Sequence, residues 1–105
     1  MNEHFSTILT KIGKQKITNA IALGKKIELS TLAVGDGGGG YYEISEKQTQ
    51  LKNKVWEGQL SKVVISEKNP NTILTEALIP TDVGGFYIRE AGIFDTEGDL
   101  IVLTL

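Results

Sequence analysis

The stretch Leu9-Thr10-Lys11-Ile12-Gly13-Lys14-Gln15-Lys16-Ile17-Thr18-Asn19-Ala20-Ile21-Ala22-Leu23-Gly24 decides the first reading of the fold. Leu9, Ile12, Gly13, Lys16, Ile17, Ala20, Ile21 and Gly24 recur at spacings of three and four, with Lys16 the one charged intruder. Thr10, Lys11, Lys14, Gln15, Thr18 and Asn19 form the opposite, wet face. This period predicts an amphipathic helix that lays one side on a core. Ser6, Thr7 and Thr10 are all candidate N-caps. Gly24 suits the position just past the helix, and Lys25 and Lys26 complement the negative end of its dipole. Gly13 inside the stripe costs about 1 kcal/mol against alanine, which points to close backbone packing there.

Downstream, the period changes. Ile27 and Leu29 share one parity and Leu32 and Val34 the other, so a strand with a bulge or bend across Ser30 and Thr31 is expected. Gly35-Asp36-Gly37-Gly38-Gly39-Gly40 is a loop. Ser45 to Asn53 is polar, and Ser45 with Gln48 three residues later predicts a short second helix, which Gly58 keeps from extending. Leu60–Ser66 and Thr72–Ile79, joined by Glu67-Lys68-Asn69-Pro70-Asn71 and closed by Pro80, predict an antiparallel hairpin. Phe86–Phe94 reads as another strand, Asp95-Thr96-Glu97-Gly98 as a tight turn, and Leu100–Leu105 as a final strand. The fold class expected is α+β: an amphipathic N-terminal helix and a short second helix packed on an antiparallel or mixed sheet, in one domain spanning 1–105.

Composition removes whole classes of chemistry. The chain has 105 residues, no cysteine and one histidine, His4, so a disulfide framework, a thiolate zinc site and a His-rich metal site are excluded. A Ser–His–Asp hydrolase would have to use His4, close to the N-terminus. Net charge is −2, without the basic face that nucleic acid requires. No apolar run approaches the roughly 20 residues of a membrane span, and the N-terminus lacks a signal-peptide layout. Synthesis in a reducing cytoplasm fits this composition.

Three motifs invite ligands and each has a plainer explanation. Gly35-x-Gly37-x-x-Gly40 matches the dinucleotide fingerprint, but Tyr41-Tyr42-Glu43 follows where a helix should open, and Asp36 and Glu43 would repel phosphate. Asp95-x-Glu97-Gly98-Asp99 mimics part of a calcium loop with its glycine at the wrong position, and a reverse turn accounts for the same residues. Glu57, Glu76 and Glu90 could supply the carboxylate pair of a glycosidase, though nothing in their spacing favours it. No cofactor and no catalytic set is therefore expected.

Arg89 stands apart because it is the one arginine in a chain with ten lysines. A lone guanidinium in the stretch Phe86-Tyr87-Ile88-Arg89-Glu90-Ala91-Gly92-Ile93-Phe94, largely apolar, points to bidentate pairing with a carboxylate. Strand alternation sends Glu90 to the opposite face, which leaves Glu76 or Glu28 as partners for an internal strut, or a contact with another protein. The final strand is apolar on both parities, and so is Ile73–Ile79. Such a strand needs cover on both sides, from further chain or from a neighbouring subunit. Arg89, Glu90, Leu100, Val102 and Leu105 are the candidate structural or partner-contact residues.

The residues also resemble a family. Thr7-Ile8-Leu9-Thr10-x-Ile12-Gly13, Ala22-Leu23-Gly24 and Leu32-Ala33-Val34-Gly35-Asp36-Gly37 are similar to the N-terminal domain of phage tail-collar fibre proteins. So are Ile79-Pro80, Gly84-Gly85-x-x-Ile88-Arg89-Glu90-x-Gly92-Ile93-Phe94-Asp95 and Gly98-Asp99-Leu100-Ile101. The likeness runs in order along nearly the whole chain. It departs at Gly38-Gly39-Gly40, where a more varied loop is usual, and at Trp56-Glu57, where a basic residue is expected. Such proteins occur on contractile-tailed phages, prophages and phage-tail-like bacteriocins. The resemblance implies a non-enzymatic virion structural domain that anchors a receptor-binding tail fibre to the baseplate for host attachment. It further implies a homotrimer with a downstream shaft and no nucleic-acid or membrane partner. The rival reading is a carbohydrate-binding module that stacks Tyr41, Tyr42 and Trp56 on sugar rings.

Overall fold

The computed structural model describes residues 7–25, 27–65, 73–78 and 85–105. Within these, a five-stranded antiparallel sheet runs through the chain in the order β1-β7-β6-β2-β3. Its strands are β1 (Thr7–Leu9), β2 (Leu29–Gly35), β3 (Lys54–Gln59), β6 (Glu90–Asp95) and β7 (Leu100–Thr104). A separate antiparallel hairpin pairs β4 (Lys62–Ile65) with β5 (Ile73–Glu76). One described helix, α1 (Lys11–Ala22), follows β1. The α+β expectation is thereby corrected: the protein is mostly β, with one short helix where two were expected.

The second helix fails for a local reason. Gln48 Oε1 accepts the Ser45 N–H at 2.8 Å and Ser45 Oγ accepts the Lys47 N–H at 3.2 Å, so a capping arrangement does form. It closes a single turn, Gln48 N to Ser45 O at 3.0 Å, and does not propagate. Nucleating a helix is unfavourable without an apolar face to dock, and Leu51 is the one apolar side chain between Ser45 and Asn53. The Lys52 and Asn53 N–H groups donate to a distant carboxylate instead of to carbonyls one turn back. The chain then enters β3, an edge strand that the sequence did not announce.

α1 starts as the sequence allows. Thr10 is the N-cap and its Oγ1 accepts the Gly13 N–H at 3.0 Å. That hydroxyl also donates to Leu100 O at 2.5 Å, and Thr10 N donates to Ile101 O at 3.0 Å, which seats the start of the helix on β7. Gly13 is buried, and a Cβ there would lie 2.5 Å from Ile101 O. Gly24 takes φ 68°, ending the helix in the left-handed region. The apolar stripe leaves the sheet before it ends, for Ile21 is 74% exposed.

Two register shifts explain the confused parity of the strands. The β2–β6 ladder slips between Leu29 and Thr31, at the expected bend. In the β6–β7 ladder Phe94 pairs with Leu100 and Ile93 with Val102, so Ile101 has no opposite number on β6. The slip lets Leu100 and Leu103, at odd spacing, join one core with Ala33 and Leu51, against which Ile8, Ile44 and Phe94 pack. Gly92 makes room: a Cβ there would lie 2.6 Å from Leu100 Cδ1 and 3.1 Å from Leu51 Cδ2.

The strand expected from Phe86 begins only at Glu90. β2, its partner, ends at Gly35, where the chain turns into the glycine loop. The last rung is the Arg89 N–H to Gly35 O bond at 2.8 Å, and among the described residues no strand pairs with residues 86–88. The turn proposed for Glu67–Asn71 lies outside the described residues, as does Pro80.

Candidate functional site

Glu90 is the first residue of β6 and stands opposite Gly35 of β2. Its carboxylate folds over that glycine, where a Cβ would lie 2.5 Å from Oε2. Glu90 is 1% exposed, a position where an ionised carboxylate is costly unless its oxygens are saturated. They are saturated. Oε1 accepts from Tyr42 Oη at 2.6 Å and Lys52 N at 2.8 Å, and Oε2 from Gly37 N at 3.0 Å and Asn53 N at 2.9 Å. Among the described residues none of its partners is a cation; the anion is held by oriented N–H and O–H dipoles. Burial, and then the bond to Glu90, push the Tyr42 phenol above its ordinary range. Gln48 Nε2 donates to the same phenol oxygen at 3.0 Å. The glycine loop, the 42–53 segment and β6 thus meet at one carboxylate.

Arg89 points elsewhere. Its Nη1 donates to the Asp36 carbonyl at 3.1 Å, and its guanidinium lies 5.1 Å from the centre of the Tyr87 ring. Among the described residues no carboxylate lies within ion-pair distance of it, Glu28 included; the Glu76 side chain lies outside the description. The Asp36 carboxylate is engaged by Asn53 Nδ2 at 2.8 Å and Gly38 N at 2.9 Å. Those bonds, with a smaller contribution from the charge of Arg89, hold Asp36 below the usual carboxylate range.

The acidic turn has a cation of its own. Lys16 Nζ lies 2.6 Å from Asp95 Oδ2, 3.1 Å from Glu97 Oε1 and 2.5 Å from Asp99 Oδ2. The charged intruder in the helical stripe thus takes the place a metal ion would have taken in the calcium-loop reading. Its bonds to Asp95 and Asp99 raise the ammonium well above its ordinary pKa. Burial alone would push the Asp95 carboxyl up; the Lys16 ammonium and the Asp99 and Glu97 N–H groups outweigh it and hold Asp95 low. Gly98 takes φ 87° and donates to Asp95 O at 3.0 Å, closing the expected turn.

The remaining candidates do not converge. No helix opens after Gly40, so the glycine run lacks the N-terminus a pyrophosphate needs. Glu57 is exposed on β3 and pairs with Lys54 at 3.2 Å, away from the saturated Glu90. Lys52 lies over the Tyr42 ring at 5.0 Å, the Trp56 ring folds onto Gly58, and Tyr41 is 62% exposed. Leu100 is buried in the chain's own core, while Val102 and Leu105 are half-buried. His4 lies outside the described residues. Among those described, no group of three acidic or histidine side chains is arranged for a metal ion, and no helix is long and apolar enough to cross a membrane.

Sequence reasoning missed the partners of Glu90. Tyr42 and the Lys52 and Asn53 amides lie about forty positions away, and the nearest local signal was a glutamate following a strand-breaking pair of glycines. Lys16 could have been found, since a lysine on an apolar stripe demands a buried acid.

Among the described residues the buried side-chain polar groups are saturated, and the carboxylates of Glu90, Asp36 and Asp95 are tied within the chain. The chain belongs to the family of the phage tail-collar fibre protein, N-terminal, which it matches over residues 1–104. It is 40% identical over 104 residues to the probable tail fiber protein of Escherichia phage P2. That alignment covers 98% of this chain and 16% of the phage protein, so the chain spans about a sixth of that relative's length. No solved structure matches it. The chain is accordingly part of a structural component of the phage virion.

Proposed function

We propose that residues 1–105 form one attachment domain that anchors a receptor-binding tail fibre to the baseplate by protein–protein contact, without enzymatic activity. The observation that carries this reading is the match to the N-terminal portion of the family over 1–104, in a chain one sixth the length of its phage relative. The rest of such a protein supplies the shaft and tip, and this portion the joint to the tail. The fibre assembles as a homotrimer, with Val102 and Leu105 at or near the subunit contact.

Fibres lacking residues 1–105 should be made but should be missing from purified tails, as scored by immunoblot against a baseplate protein. Truncated fibres found on tails at full occupancy would move the anchor elsewhere. Sedimentation of the intact fibre checks the trimer. A glycan array hit that Trp56→Ala abolishes would favour the carbohydrate-binding reading instead.

A further inference from the structure

We infer that the attachment surface centres on Arg89 and Tyr87, and that its partner is a tail protein presenting an aspartate or glutamate carboxylate to Arg89. This rests on the anchoring role proposed above and names the surface that performs it.

The argument begins with unused donors. A guanidinium has five N–H donors in a rigid fork, and Arg89 uses one of them, to the Asp36 carbonyl. Among the described residues no carboxylate lies within ion-pair distance of this half-buried cation, and taking a cation out of water is repaid mainly by an opposite charge in contact with it. The carboxylates of Asp36 and Glu90 are engaged by other donors. Asp36 is bound to Asn53 and Gly38, and Glu90, the next residue in sequence, is buried with four other donors. Among the described residues, then, Arg89 is held in position while the hydrogen bonds of the Asp36 and Glu90 carboxylates go to other donors.

The geometry is also fixed in advance. The Arg89 backbone is tied to Gly35, its side chain to Asp36, and its guanidinium carbon lies over the Tyr87 ring. Gly37 lies directly beside it, where a Cβ would be 3.5 Å from Arg89 Cβ. Holding a long side chain in place before contact removes an entropic cost from binding. Tyr87 is 75% exposed although it is the ring that supports the guanidinium. An exposed tyrosine in cation–π contact with an arginine has the composition of the centre of a protein interface. A carboxylate fits the open fork by two parallel N–H···O bonds while an apolar neighbour covers the ring. The overall charge of −2 disfavours a nucleic-acid phosphate in the same place.

The test uses intact fibres in assembled tails. Arg89→Gln should lower fibre occupancy about tenfold or more. Arg89→Lys should fall between it and the parent, because an ammonium keeps the charge and loses the fork. Thermal unfolding of both variants should stay at the parental midpoint. Parental occupancy of Arg89→Gln overturns the inference, and so does a loss of occupancy matched by a loss of fold, which would make Arg89 an internal strut. A photo-crosslinking phenylalanine in place of Tyr87 then identifies the partner. Crosslinks to an Asp- or Glu-containing peptide of a non-fibre tail protein are expected; crosslinks to a second fibre chain, or none, overturn it. If fibres lacking 1–105 stay off tails while Arg89→Gln fibres load normally, the anchoring role stands and this surface alone falls.

Discussion

Tyr42 Oη donates a 2.6 Å hydrogen bond to Glu90 Oε1, joining the segment between β2 and β3 to the first residue of β6. The same carboxylate holds the glycine loop and the entry to β3, so three stretches of chain depend on one side chain.

Glu90→Gln tests that dependence with little change of shape. Each carboxylate oxygen faces a backbone N–H, so either orientation of the amide sets its NH2 group against a donor. A loss of about 2–4 kcal/mol in denaturant unfolding is expected. Tyr42→Phe removes the bonds to Glu90 and from Gln48 and leaves the carboxylate three donors, for a loss of about 1–2 kcal/mol. A Glu90→Gln variant as stable as the parent would show that the carboxylate charge is dispensable.

Lys16→Met should change the response to acid. With its folded pKa held down, Asp95 stabilises the fold above its ordinary value of 3.8, and this is lost as pH falls through the lower folded value. Lys16, with its pKa raised, contributes below its ordinary 10.5 and loses that contribution only as pH climbs through the higher folded value. Both contributions are therefore complete at neutral pH. Removing Lys16 leaves only the Asp99 and Glu97 N–H groups to oppose burial at Asp95, so the carboxyl should titrate at higher pH and acid unfolding should begin earlier. Carbon-detected NMR titration of the Asp95 carboxyl measures this directly.

Thr10→Val keeps the shape of the N-cap and removes its hydroxyl. Both the Gly13 N–H and the Leu100 carbonyl then lose a buried partner. A loss of about 1–2 kcal/mol is expected, with Thr10→Ser close to the parent.

Gly13→Ala opposes helix propensity to packing. Alanine favours a helix by about 1 kcal/mol over glycine, yet its methyl would meet the Ile101 carbonyl. That carbonyl belongs to β7 and cannot move freely, so a net loss of about 1–3 kcal/mol is expected. Equilibrium unfolding that shows stabilisation instead would mean that α1 can lift from the sheet.

The sequence made legible what is set by near neighbours. The end of α1 at Gly24, the bend at Ser30–Thr31, the Asp95–Gly98 turn and the close approach at Gly13 each follow from residues within a few positions. Ser6, Thr7 and Thr10, by contrast, are equal N-cap candidates in the sequence, and the contact with β7 selects Thr10. The β4–β5 pairing followed from two β-branched runs. What stayed hidden depends on contacts far along the chain. The Ser45–Gln48 signal was read correctly as a cap and wrongly as a helix, because the amides that would have continued it are claimed by Glu90. β3 was missed because Lys54-Val55-Trp56-Glu57-Gly58-Gln59 has no clean alternation, and its pairing with β2 decides its conformation. Arg89 was singled out from composition alone, but the ring of Tyr87 and the carbonyl of Asp36 took the place of the expected carboxylate.

The placing of β7 between β1 and β6 has a mechanical consequence. β7 runs antiparallel to both neighbours, with Thr104 opposite Thr7 on one side and Ala91 on the other. A pull along its axis at Leu105 loads both ladders in shear at once, where an edge strand pulled sideways would open one bond after another. The helix seated on Leu100 and Ile101 resists the same displacement from above the sheet. Tension entering through the last strand is thus shared across the sheet before any part of it yields.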